Sequence, residues 1–180
     1  TPADLPSGTD RVAVAAQPED DDIVINIQGD EPLIEPRLIE SLAMRLRNDS
    51  SYQMATAAAP ITRLEDLEAH SVVKVVCDSD GGALYFSRLP IPCRRDGEPD
   101  FGQGLYWRHV GIYAYRGAFL KRLVREPPCA LERCESLEQL RALHLGGRIA
   151  VLQTTHAGCG VDTPEDVARV EAEMRRRKVC

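Results

Sequence analysis

The apolar residues of this 180-residue chain fall into short β-branched runs that alternate with longer stretches of helical period. Ile23, Val24, Ile25 and Ile27 form the first run, dense enough for a strand covered on both faces in a parallel sheet. Pro32 stops it. After Glu35-Pro36, Leu38, Ile39, Leu42 and Leu46 recur at helical spacing, which predicts a helix ending near Asn48, with proline at a tolerated first-turn position. Met54 to Ile61 reads as a second strand. Thr62-Arg63-Leu64-Glu65 has the form of a capping box and predicts a brief helix toward His70. The runs VVKVVCD (72–78) and ALYFSR (83–88) flank Asp80-Gly81-Gly82 and predict a β-hairpin. The stretch from Leu89 to Leu105 holds three prolines and three glycines, so residues 89–106 are expected to be a mobile loop.

Val110, Ile112 and Ala114 alternate with Gly111, Tyr113 and Tyr115, which predicts a strand over 107–116. Phe119, Leu120, Leu123 and Val124 predict a helix that stops before Pro127-Pro128. A single helix is expected from Ala130 to Leu145, closed by Gly146-Gly147, with Glu135 and Gln139 on one face and Glu138 beside them. RIAVLQ (148–153) is the last strand, and Thr163-Pro164 starts a final helix carrying Val167, Val170 and Met174. This alternation places the chain in the α/β class, with a mostly parallel sheet and a hairpin insertion. Such a sheet normally begins with a strand and a glycine-rich phosphate turn, whereas this chain opens on TPADLPSGTDRVAVAA, a loop and a short helix.

The length suits one domain. Twenty-two basic against twenty-eight acidic residues give a net charge of −6, which disfavours nucleic acid as the main partner. No apolar run is long enough to span a bilayer, and the first ten residues lack a basic start and an apolar centre, so neither membrane nor export is expected. Cys77, Cys93, Cys129, Cys134, Cys159 and Cys180 form no C-x-x-C pair, which argues against structural zinc and, with no export signal, for reduced thiols in a cytoplasmic protein.

Candidate chemistry gathers at two acidic positions. Asp30 follows the first strand after Gly29, and Asp162 follows the last strand just before a helix start. Loops at the carboxyl ends of strands form the ligand crevice of open α/β sheets. Two carboxylates facing one crevice would suit a hard cation such as Mg²⁺. Equally, Asp30 and Glu31 could simply solubilise a turn, and Asp162 could simply complement a helix dipole.

The ordered motifs VINIQGDEP, ALYFSRLPIP, WRHVGIYAYR, LERCESLEQLRAL and GVDTPEDVARV closely resemble the 3-deoxy-manno-octulosonate (Kdo) cytidylyltransferase family, the CMP-Kdo synthetases of bacterial lipopolysaccharide assembly. SGTDR (7–11) resembles that family's SGT-E-R segment, with Asp10 where glutamate is usual, and the likeness extends from Ser7 to about Met174. The resemblance implies a nucleotidyltransferase-like (Rossmann-like) sheet with helices on both faces. It also implies an enzyme converting CTP and Kdo to CMP-Kdo and pyrophosphate. Asp30 and Asp162 match magnesium ligands with catalytic roles, and Asp30 also lies by the nucleotide. Gln28, Arg108, His109, Glu138 and Gln139 match sugar-binding positions, with Arg108 shaped to hold the sugar carboxylate and count among the catalytic residues. Ser7, Gly8, Thr9 and Arg11 match the segment near cytosine and ribose. Arg88 is expected to be structural, Trp107, Tyr113 and Tyr115 to pack, and the hairpin of residues 72–88 to lie in a homodimer contact. The family's opening P-A-R-x-x-S-x-R-L-P-G-K-P-L loop, which holds the CTP triphosphate, has no counterpart here. Residues 1–180 are thus expected to be a single incomplete nucleotidyltransferase domain without its first strand–loop–helix section. Two alternatives stay open: a transferase for another acidic sugar such as sialic acid, and a non-catalytic remnant that binds no nucleotide.

Overall fold

The computed structural model describes residues 1, 2, 5, 7–29, 31–155, 161 and 164–177. The elements in order are α1 (Gly8–Ala16), β1 (Ile23–Ile27), α2 (Pro36–Asn48), β2 (Met54–Pro60), α3 (Leu64–Glu68), β3 (Lys74–Cys77), β4 (Ala83–Ser87), β5 (Trp107–Arg116), α4 (Gly117–Arg125), α5 (Ala130–Glu135), α6 (Gln139–His144), β6 (Ile149–Gln153) and α7 (Pro164–Arg177). Six strands form one sheet in the order β4-β3-β5-β2-β6, with β1 also on β5.

The long strand β5 organises the sheet. One of its edges pairs along its length with β2, from Met54 opposite Tyr115 to Pro60 opposite Trp107. Its other edge is divided. β1 occupies it from Ile112 to Arg116, and β3 from Trp107 to Arg108. Strands β1, β2, β3 and β6 point one way while β5 and β4 run against them, so the sheet is mixed, and four of its five strand pairings are antiparallel rather than mostly parallel as expected. Because β5 sits between like-directed strands, β2 and β6 are the only parallel neighbours among the described residues.

Alternation along β5 sorts its side chains into two cores. Tyr113 and Tyr115 join Phe119, Leu120 and Leu123 of α4 and Leu140 of α6 on one face. Val110, Ile112 and Ala114 meet Leu38, Leu42 and Leu46 of α2 on the other. Helices therefore cover both faces. A third, smaller cluster of Ile61, Leu67 and Tyr106, with Phe101 against it, anchors the end of the irregular 89–106 segment. Within that segment is one 3₁₀ turn, Phe101–Gln103.

Two local expectations need correction. The capping box at Thr62 does not form: α3 starts one residue later, its cap position is Arg63, and the Arg63 guanidinium takes the Glu65 carboxylate at 3.2 Å. The helix expected over 130–145 is broken at Ser136, whose φ of 53° lies in the left-handed region. The break turns Leu137 inward, leaving it 5% exposed in the first core. It also separates Glu135 from Gln139, which consequently face different partners. The Glu135 carboxylate accepts from the Ser87 hydroxyl at 2.8 Å and the Arg88 amide at 2.9 Å. The carbonyls left over at this helix end accept from the Arg88 guanidinium, Glu135 at 2.7 Å and Ser136 at 3.3 Å.

Candidate active site

Between the end of β1 and the start of β3, residues 110 and 111 of β5 lack a strand neighbour on that edge, and the His109 amide beside them donates to the Val73 carbonyl at 2.8 Å. A cavity of about 380 Å³ opens over this gap. Its floor is shaped by an irregularity in the β2–β5 ladder, where Thr56 faces Tyr113 but the next residue, Ala57, faces Val110. Gly111 and Ile112 are the surplus residues, a bulge of the kind that re-aims side chains beside functional sites. Gly111 lies against Gln28; a Cβ there would come within 3.8 Å of the Gln28 side chain. Gln28 itself follows the last residue of β1 and lines the cavity.

Three polar groups mark the cavity walls. At one end the Thr9 hydroxyl, from the first turn of α1, donates to Glu138 Oε2 at 2.5 Å. The Tyr115 hydroxyl meets the side chains of Thr9 and Asn26, and burial pushes its pKa well up, so it remains protonated. At the wall formed by α6, the Tyr113 hydroxyl, also held protonated by burial, donates to Gln139 Oε1 at 3.3 Å. Gln139 is 4% exposed, and its Nε2 has no hydrogen-bond partner. A buried amide donor left unpaired costs about 1–3 kcal/mol, which a ligand acceptor could recover. The third wall carries Arg88, which lines the cavity while donating to the carbonyls of His70, Glu135 and Ser136. Three of its five N–H groups are used in those bonds.

His109 rises from the floor at the gap. Its ring stacks edge-on against Phe86 and tilts against Tyr113, and burial lowers its pKa to about 4, so the imidazole is neutral near pH 7.

Of the residues singled out from the sequence, Gly8, Thr9, Gln28, His109, Glu138 and Gln139 converge on this cavity. Ser7 instead caps α1, its hydroxyl donating to Asp10 at 2.6 Å, and lines a neighbouring cavity that shares Glu138. Arg11 donates to the Pro2 carbonyl at 2.9 Å. Arg108 does not line the cavity: it precedes His109 on a strand and so projects from the opposite face of β5. Asp30 and Asp162 lie outside the described residues. Strands β1 and β6, which precede them, are parallel and finish at the same end of the sheet. Among the described residues no group of three or more His, Cys, Asp or Glu could hold a metal.

Sequence reading missed Asn26, Thr56 and the exposure of Arg88 to the cavity. The first two had a signal, each being the lone polar residue within a strand, IVINI and MATAAAP. Tyr113 and Tyr115 do pack, as expected, but both also bring hydroxyls to the cavity wall.

The family described as cytidylyltransferase matches residues 1–149. A 3-deoxy-manno-octulosonate cytidylyltransferase of Bdellovibrio bacteriovorus is 47% identical over 173 residues, covering 95% of this chain and 69% of its own length. One from Anaeromyxobacter is 52% identical over 168 residues, covering 92% of this chain and 66% of its own. The solved structure of a CMP:2-keto-3-deoxy-manno-octonic acid synthetase complexed with CTP superimposes with a TM-score of 0.86 at 41% identity, over 97% of this chain and 70% of that one. A 4-diphosphocytidyl-2C-methyl-D-erythritol synthase, at 13% identity and a TM-score of 0.54, shares the fold alone. With nearly the whole chain matched at such identity, it belongs to the cytidylyltransferases and, among them, to the 3-deoxy-manno-octulosonate cytidylyltransferase family.

Proposed function

We propose that this chain binds Kdo in the cavity over the β5 gap and transfers the cytidylyl group of CTP to it in the cytoplasm, yielding CMP-Kdo for lipopolysaccharide assembly. The observation that carries this reading is the unpaired, buried Gln139 amide facing a cavity walled by hydroxyls, a neutral imidazole and a guanidinium. A polyhydroxylated sugar acid offers acceptors and donors for each of these. Gln139 Nε2 would donate to a sugar oxygen, and Glu138 would accept from a hydroxyl. The Arg88 guanidinium, on the cavity side where Arg108 is not, supplies the positive field for the sugar carboxylate.

In the reaction the anomeric oxygen of Kdo forms a bond to the α-phosphorus of CTP as the bond to the β-phosphate oxygen breaks. Pyrophosphate leaves, and the hydroxyl proton passes to solvent or a basic group. Protein residues contribute placement and electrostatic stabilisation to such a transfer. Asp30 and Asp162 are hard oxygen donors that come after β1 and β6 in the sequence, a donor type that fits Mg²⁺. Bound there, Mg²⁺ would neutralise charge developing on the phosphate oxygens.

We also propose a homodimer. β4 is an edge strand, and Leu84 on it and Leu89 just beyond are 60% and 57% exposed, an apolar edge that pairing with a second copy would cover. A dimeric mass by light scattering at micromolar concentration is expected, and a monomeric mass would contradict it.

The deciding assay is pyrophosphate release from CTP. It should require both Kdo and Mg²⁺ and stop on chelation. Equal turnover with sialic acid would overturn the sugar assignment, and failure to bind CTP would favour a non-catalytic, sugar-binding role.

A further inference from the structure

We infer that Thr56 is a positioning residue that fixes the tautomer of His109, so that the imidazole offers the sugar an acceptor rather than a donor. The inference rests on the proposed Kdo site and adds a residue to it. Thr56 is fully buried in β2, the one polar residue within that strand. Its hydroxyl oxygen lies 2.7 Å from the Ile112 carbonyl, 3.4 Å from the Val110 carbonyl and 2.9 Å from His109 Nε2.

The contact of 2.7 Å joins two oxygens, and a carbonyl has no proton to give. The proton between them must be that of Thr56, the only one its hydroxyl has. With that proton committed, the hydroxyl can meet the ring only as an acceptor, and His109 Nε2 must carry the N–H. The neutral imidazole has a single N–H, so Nδ1 keeps its lone pair. Among the described residues, no protein group donates to Nδ1.

The bulge explains why a threonine is required. The slip of Gly111 and Ile112 out of register with β2 begins at Thr56, whose hydroxyl donates to the Ile112 carbonyl. In doing so it sets the ring beside it. Valine has the same shape and would leave both the Ile112 carbonyl and Nε2 without a partner, while serine would keep the hydroxyl.

Nitrogen-15 NMR of the imidazole ring, read through its two-bond proton correlations, tests this directly on the unliganded protein. The His109 signals of the unaltered chain should be those of the Nε2–H form. A predominant Nδ1–H form would overturn the inference whatever any variant does. In Thr56→Val the ring should become a mixture of tautomers, and the KM for Kdo should rise about three- to tenfold, the worth of one neutral hydrogen bond. The KM for CTP should stay unchanged. Thr56→Ser should restore both the Nε2–H signature and the Kdo KM. A shifted tautomer with an unchanged Kdo KM would also overturn it. If the ring is Nε2–H in the unaltered protein yet Kdo is not used at all, the Kdo assignment fails and the Thr56–His109 bond stands.

Discussion

Two neighbouring residues of β5 show how finely the site depends on single positions. Arg108 and His109 are adjacent, yet one faces away from the cavity and the other stands in its floor. The neutral state of His109 has a measurable cost in acid. Its pKa falls from 6.5 in the open chain to about 4 when buried, so between those values the unfolded chain binds more protons. Stability therefore rises with pH across this window and is lost as pH falls through it, by up to roughly 3 kcal/mol. Urea midpoints measured from pH 7 to pH 4 should fall less steeply for His109→Asn than for the unaltered protein, and parallel curves would refute the assignment. At the two carboxylates the expectation concerns rate. Asp30→Asn should lower kcat by roughly a hundredfold or more, as removal of a key electrostatic group does. Asp162→Asn should behave alike, and the double variant should be little worse than either, since groups acting as a unit are not additive. An undiminished rate in Asp30→Asn would remove it from the site.

At the scale of elements, the junction of α5 and α6 does the most to bring side chains to the cavity. The left-handed Ser136 ends one helix, and Glu138 and Gln139 begin the next. Glycine adopts that backbone freely, whereas a β-branched residue is strained in it. Ser136→Gly should leave thermal stability nearly unchanged or slightly raised. Ser136→Val should cost about 1–3 kcal/mol and raise the KM for Kdo, because the strain relaxes by moving the two residues that follow. Equal melting temperatures for the two variants would count against this. The junction also explains what the sequence could and could not tell. β1, α2, β2, β5 and β6 were legible as elements from their apolar runs and helical spacing. β1, however, is half-buried with Ile27 46% exposed rather than covered on both faces, because among the described residues it pairs only with β5, and antiparallel. The break at Ser136 was not legible, since Leu137 and Leu140 keep a spacing compatible with one continuous helix and no glycine or proline marks the turn. The convergence of Gln28, His109, Glu138 and Gln139 was legible through family resemblance, whereas strand alternation, which sends Arg108 to the face opposite His109, overrides the resemblance at that position. Thr56 stands out as the lone polar residue of its strand, but its role comes from a register slip that this pattern does not announce.

Across the whole molecule, long-range ties hold the cavity walls to the sheet. A buried ion pair between Arg141 and Glu132, 3.0 Å apart, locks α6 to α5, with further Arg141 donation to the Glu126 carbonyl at 2.9 Å. Lys74, fully buried at the start of β3, gives its ammonium protons to the carbonyls of Ala69 at 2.9 Å, Val72 at 2.6 Å and Arg88 at 2.5 Å. The chain has only two other lysines, Lys121 and Lys178. Lys74 is consequently a natural footprinting reporter. An amine-acylating reagent should modify Lys121 rapidly, since its side chain is 35% exposed. It should reach Lys74 only when the wall carrying Arg88 opens, at a rate set by the free energy of that local opening. Kdo, by holding Arg88, should slow the acylation of Lys74 and leave that of Lys121 alone, a contrast that peptide mass spectrometry over a time course can read. Equal acylation of the two lysines in the free protein would mean that this wall is open in solution.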